Sequence, residues 1–167
     1  MTTVTQPLRD EHKDLLPHIE TLREAADGIG RVPDDELRRQ LDAAYEFLAH
    51  DLIPHATAEE KALYPVVDRV LGAPGATGTM SRDHVEVGRL TEELRSLRAE
   101  AGAKGIDETR ATALRRVLYG LYALVKVHFA KEEEVYLPLL DAKLSAGEAR
   151  SMFEAMERAA AEAKAAV

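Results

Sequence analysis

Four histidines and two glutamates in this chain are spaced so that a helical bundle could aim them all at one point. The stretches His55 to Asp68 (HATAEEKALYPVVD) and His128 to Asp141 (HFAKEEEVYLPLLD) carry the same pattern. Each opens on a histidine and places a glutamate four residues on (Glu59, Glu132), a proline ten residues on (Pro65, Pro138) and an aspartate thirteen residues on. The match extends backwards, because His12 precedes His55 by 43 residues and His84 precedes His128 by 44. Residues four apart on a helix lie one turn above each other on the same face. Each half-chain therefore offers His … His-x-x-x-Glu, and four neutral imidazoles with two carboxylates make a site for two metal ions. Nitrogen and oxygen donors without thiolate suit iron, and each carboxylate has two oxygens with which to bridge a pair of cations.

A lone His-x-x-x-Glu carries little weight, since short motifs recur by chance. Here only two such pairs occur, and they occupy equivalent places in an internal repeat. A duplicated bundle with solvated His and Glu would not explain histidine at both the odd-helix and even-helix positions. The repeat also sets candidates aside. His18 matches Leu90 and His50 matches Ala123; on a helix they are rotated by roughly 120° from His12 and about 140° from His55. Both are expected at the surface or behind the ligands, with His18 the better reserve. Glu60, Glu133 and Glu134 are expected to face solvent. Asp68 and Asp141 lie about three turns beyond the histidines, where they can cap or orient a neighbour but not ligate. Of the five tyrosines (Tyr45, Tyr64, Tyr119, Tyr122 and Tyr136) most are read as amphipathic core residues. One near the metals could donate a hydrogen bond or an electron to a bound oxygen species, but the sequence does not choose which, and none is placed in the site.

Five helical segments must position these groups. The first spans about Pro7 to Asp27, with Leu8, Leu15, Ile19 and Leu22 as its apolar stripe. The second opens after Pro33 on Asp34, Asp35 and Glu36 and reaches about Leu71; Pro54 should bend it just before His55, and Pro65 should bend or end it. GAPGATGT, Gly72 to Thr79, is the linker between the halves. The third helix runs from about Ser81 to Ala101 and the fourth from Asp107 to about Leu144. Ser145 and Glu148 then form a capping box for a fifth, which has no partner in the repeat and is expected outside the bundle or at a dimer contact. The fold expected is all-α: an up-down-up-down four-helix bundle with an additional C-terminal helix. The 167 residues form a single domain, with the bundle core over about 8–144 and the appended helix over about 146–165.

Composition removes whole function classes. There is no cysteine, hence no disulfide framework, thiolate zinc site or iron–sulfur cluster. The formal net charge is −8 with basic residues scattered, so no nucleic-acid footprint is present. No segment has the length and apolarity of a signal peptide or a membrane span, and a cytoplasmic protein, monomeric or weakly dimeric, is expected. Neither a nucleophile elbow nor a phosphate-cradling glycine loop is visible.

The site motifs resemble those of the hemerythrin-like family, the HHE cation-binding domain. The resemblance matches that family's first-helix histidine to His12, its second-helix His-x-x-x-Glu to His55 and Glu59, its third-helix histidine to His84 (within RDHVEV), and its fourth-helix pair to His128 and Glu132. Oxygen-carrying hemerythrins have a second third-helix histidine where this chain has Gly88, and a last carboxylate five residues after the histidine instead of four. These departures imply two histidines per iron here, and the pattern looks more like that of stand-alone bacterial hemerythrin-like proteins. The resemblance implies a pair of non-haem irons, oxo- or hydroxo-bridged. It implies chemistry with small molecules such as O2, H2O2 or NO, either catalase-like peroxide decomposition or sensing, binding and storage without turnover. Ferritin-like di-iron proteins use Glu-x-x-His pairs, which this chain lacks.

Overall fold

The computed structural model describes residues 3–166, and among them the chain is helical with no strand. Five helices follow one another: α1 (Gln6–Gly28), α2 (34–71), α3 (Gly78–Lys104), α4 (108–143) and α5 (Ala146–Ala165). Consecutive helices α1 to α4 pack side by side and α4 closes back on α1, giving the up-down-up-down bundle. No helix among the described residues is long and apolar enough to cross a membrane.

The apolar stripes divide into two clusters. One holds Leu15, Ile19, Leu22, Leu41, Leu94 and Leu118; the other holds Leu8, Leu63, Val67, Met80, Leu137 and Leu140. Every bundle helix crosses from one cluster to the other, and at each crossing the sequence changes from apolar to His or Glu. On α1 the order is Leu8, His12, Leu15; on α2 it is Leu52, His55, Glu59, Leu63; on α3 it is Met80, His84, Val87. On α4 it is Val125, His128, Glu132, Leu137. A polar layer is therefore sealed between two dry cores.

Both long helices stay continuous through their prolines, by a device the sequence does not announce. A proline removes one backbone donor, and its ring strikes the carbonyl four residues earlier. Wide π turns precede each of these prolines: Leu48–Leu52 before Pro54, Glu59–Leu63 before Pro65, and Glu132–Tyr136 before Pro138. The N–H groups of Ile53, Tyr64 and Leu137 donate to carbonyls five residues back, which gives the ring room. Pro65 therefore does not end α2. Two of these turns start at Glu59 and Glu132, so the wide turn and the candidate ligand coincide, a placement common at functional sites.

The ends of the even helices tie down the starts of the odd ones. Asp68 accepts from the backbone N–H of Gly75 and from both the N–H and the hydroxyl of Thr77, just before α3. Asp141 accepts from the N–H and hydroxyl of Thr5, just before α1. Asp68 organises the linker so far that α3 begins at Gly78 rather than Ser81, and it runs on to Lys104. Gly72 ends α2 in the left-handed conformation, at φ +64°.

Helix α5 lies outside the bundle against the middle of α2, including the π turn that begins at Glu59. It buries Ala149, Met152 and Met156 in the second cluster. Its start is the expected capping box, with Ser145 and Glu148 bonding reciprocally. Ser145→Ala should cost about 1 kcal/mol and lower the unfolding temperature by about 2–4 °C, measured by calorimetry. An unchanged midpoint would mean that α5 is held by packing alone.

Candidate metal centre

The structure brings together all six residues singled out from the repeat. His12, His55, Glu59 and Glu132 place one donor atom each within 4.8 Å of the others, and so do Glu59, His84 and His128. Glu59 belongs to both groups and divides its oxygens between them. Its Oε1 lies 3.0 Å from His55 Nε2 and 3.8 Å from His12 Nε2. Its Oε2 lies 3.2 Å from His84 Nε2 and 3.9 Å from His128 Nε2. Glu132 divides similarly, with Oε2 3.4 Å from His12 and Oε1 3.4 Å from His128.

Both glutamate side chains are fully buried. Isolated buried carboxylates are costly, and buried polar atoms are nearly always satisfied. Here His12 Nε2, His55 Nε2, both oxygens of Glu59 and Oε2 of Glu132 have no hydrogen-bond partner. Even the 3.0 Å approach of His55 Nε2 to Glu59 Oε1 lacks hydrogen-bonding geometry. Five buried lone-pair atoms without a partner are the arrangement a cation satisfies, and the donor set fits one.

Outside this layer each imidazole is held by a second carboxylate. Nδ1 of His12 donates to Glu133 (2.8 Å), His84 to Glu60 (2.8 Å), His55 to Glu11 (2.9 Å) and His128 to Asp83 (3.0 Å). Such a bond keeps the proton on Nδ1 and turns the Nε2 lone pair inward. The four contacts are two symmetric pairs, since Glu11 and Asp83 precede the odd-helix histidines while Glu60 and Glu133 follow the repeat glutamates. Arg9 in turn pairs with Glu133, Ser81 donates to Glu60, and Lys131 pairs with Asp83.

Glu60 and Glu133 are thus not merely solvent-facing, as their angle on the helix suggested; partly exposed, they reach sideways to an imidazole of the neighbouring helix. Glu134 is exposed. His18 is exposed and stacks on Phe47, and His50 pairs at the surface with Glu46; both lie outside the cluster. Tyr64, set aside with the other tyrosines, belongs to the site. Its hydroxyl donates to Glu132 (3.0 Å) and lies 3.2 Å from His128 Nε2 and 3.3 Å from His84 Nε2. The repeat gave no signal for it, because its counterpart is Leu137.

A scan against family models matches residues 3–140 to the hemerythrin HHE cation-binding domain. The chain belongs to that family. No curated protein and no solved structure matches it. Membership in the hemerythrin HHE family and the buried His/Glu cluster together make this a metal-binding protein.

Without metal, the layer neutralises itself with protons. Burial opposes charge on His55, but Glu59 and Glu11 outweigh it and hold the imidazole well above its ordinary range. Burial likewise opposes charge on His128, yet Glu132 and Glu59 push it up to about 10. Burial acts against ionised Glu59, which His55, His12 and His128 nevertheless hold well below the usual carboxylate range. Glu132 is pushed up, by burial first and then by the charge of Glu59.

A raised histidine pKa stabilises the fold below the unfolded value of about 6.5, and that contribution is lost as pH rises through the folded value. The metal-free protein should therefore unfold at progressively lower temperature between about pH 6.5 and pH 10. A bound cation requires neutral imidazoles, so the loaded protein should lack this decline, and loading should release protons. Calorimetry across pH and titration in weak buffer check both. Glu11→Gln and Glu60→Gln should each weaken metal affinity by about 10–100-fold, read by competition with a chelator.

Proposed function

We propose that this hemerythrin HHE protein holds two iron ions and uses them to decompose hydrogen peroxide. In this reading His12 and His55 would hold one iron, His84 and His128 would hold the other, and Glu59 and Glu132 would supply carboxylate oxygens to the pair. The observation that carries it is the division of Glu59, one buried oxygen facing each pair of imidazoles. With two histidines on each side and, among the described residues, only a cavity of about 280 Å³ touching one of them, the site suits a molecule of a few heavy atoms. Bound iron would supply the electron exchange by which two molecules of peroxide become two of water and one of O2.

The chain's own residues set the conditions for that exchange. Glu133, Glu60, Glu11 and Asp83 orient the imidazoles from outside. The two apolar clusters exclude bulk water above and below the layer. Tyr64 holds a hydroxyl proton against Glu132 beside the second pair of histidines. Burial, with Glu59 and Glu132 alongside, drives its pKa up strongly, so it remains a protonated donor as long as no cation adjoins it.

A second reading is sensing or storage of O2, NO or iron without turnover. It draws on one contact: α5 packs on the turn that starts at Glu59, so a change at that carboxylate could reach the last helix. Identical proteolysis of α5 in the diferrous, diferric and metal-free protein would count against it.

Elemental analysis should find two irons per chain. The iron-loaded protein should evolve oxygen from peroxide in a closed electrode cell, and His55→Ala should abolish the activity. Undiminished turnover in an iron-free His55→Ala preparation would overturn the proposal.

A further inference from the structure

The two halves of the centre are related by an internal repeat, and the places where the repeat fails distinguish the two sides. Odd-helix positions correspond at a spacing of 72 (His12 to His84) and even-helix positions at 73 (His55 to His128). The shells around the imidazoles obey this correspondence, but their outer cover does not.

On the first side, a surface cavity of about 280 Å³ opens between α1 and α4 and reaches His12. Its walls include Lys13, Leu16, Lys126 and Phe129. It touches only the edge of His12, whose side chain is 2% exposed, because the buried ring of Phe129 stacks on the imidazole with centroids 4.2 Å apart. The approach to this pair of histidines is therefore closed by an aromatic ring.

On the second side, the repeat puts Ala56 where Phe129 stands and Gly88 where Leu16 stands. The ring and the leucine side chain both vanish. A Cβ built on Gly88 meets nothing within 4 Å, so the space beside α3 is open. His84 is correspondingly the most accessible of the four imidazoles, 11% exposed against 2% for His12 and His55 and 5% for His128. The fringe changes character as well. Val85 and Ile53 replace Lys13 and Lys126, leaving the second side without the cations of the first.

We infer that small uncharged oxidants enter the centre over His84, between α2 and α3, and that Gly88 sets the size limit of this entrance. This inference rests on the metal centre proposed above but not on its catalysing any particular reaction. Molecules the size of H2O2, O2 or NO need no more room than the exchange of a leucine for Gly88 and of a phenylalanine for Ala56 leaves. The charged group beside His84 is the partly exposed Glu60 carboxylate, which offers anions no attraction. Phe129 and Leu16 keep the opposite side shut, so the entrance lies beside the histidines that Tyr64 also approaches.

Nitric oxide, mixed by stopped flow with the diferrous protein, reports entry as an optical change without turnover. Leucine is a better helix former than glycine, so Gly88→Leu should preserve folding and iron content. It should slow NO uptake by about tenfold or more, as expected when entry comes to require a conformational change. Leu16→Ala should leave uptake unchanged, because Phe129 still closes that side. Uptake in Gly88→Leu as fast as in wild type, faster uptake in Leu16→Ala, or no uptake by the wild-type protein would each overturn the inference. The outcomes for reaction and route separate. Slowed NO uptake in Gly88→Leu with no oxygen evolved from peroxide by wild type would retire the peroxide reading and leave the entrance standing. Fast uptake with peroxide turnover intact would do the reverse.

Discussion

Two carboxylates buried at the middle of a helical bundle are the constraint around which this protein is organised. Each charge taken out of water costs several kcal/mol, roughly, even after the protein relaxes. Glu59 and Glu132 incur that cost side by side. Four imidazoles surround them, and four further carboxylates hold those imidazoles from the rim. The apolar clusters on either side keep water from relieving the charge. Protons can balance the layer only by displacing the pKa values of His55, His128, Glu59 and Glu132 from their usual ranges, whereas bound metal would balance it with neutral imidazoles. The fold thus provides a strongly polarised cavity in which metal and protons compete for the same donor atoms.

The sequence disclosed what obeys periodicity. The bundle, the order of its helices and the six central residues follow from 3.6-residue spacing and from the repeat. The capping box at Ser145 was legible because its two partners are close in sequence. Glu11 and Asp83 could have been found, since an acid directly precedes each odd-helix histidine at the repeat spacing. Glu60 and Glu133 carry the same signal, but only their exposure, not their contact, is legible in it. Their angle on their own helix is outward, but their partner is on the adjacent one, and helix packing decides that contact.

Tyr64 is different in kind. It is a departure from the repeat, and a symmetry argument is blind to whatever breaks the symmetry. The same holds for the π turns. Prolines at 54, 65 and 138 announce a disturbed helix, but whether it bends, ends or widens depends on what the neighbouring helices allow. Here each helix continues past its proline by way of one wide turn. That turn advances the phase, so Tyr64 and Val67 still face the interior after His55 and Glu59 have done so.

The crossed bonds between the halves have a further consequence. His12 is oriented by Glu133 and His84 by Glu60, while Thr5 is secured by Asp141. A polypeptide nicked in the connection 72–77 would yield two fragments, each with two imidazoles and a single central carboxylate. Neither fragment would carry the orienting partner of both its histidines, so the two would be complementary pieces of one lock, able to restore the centre only by finding each other.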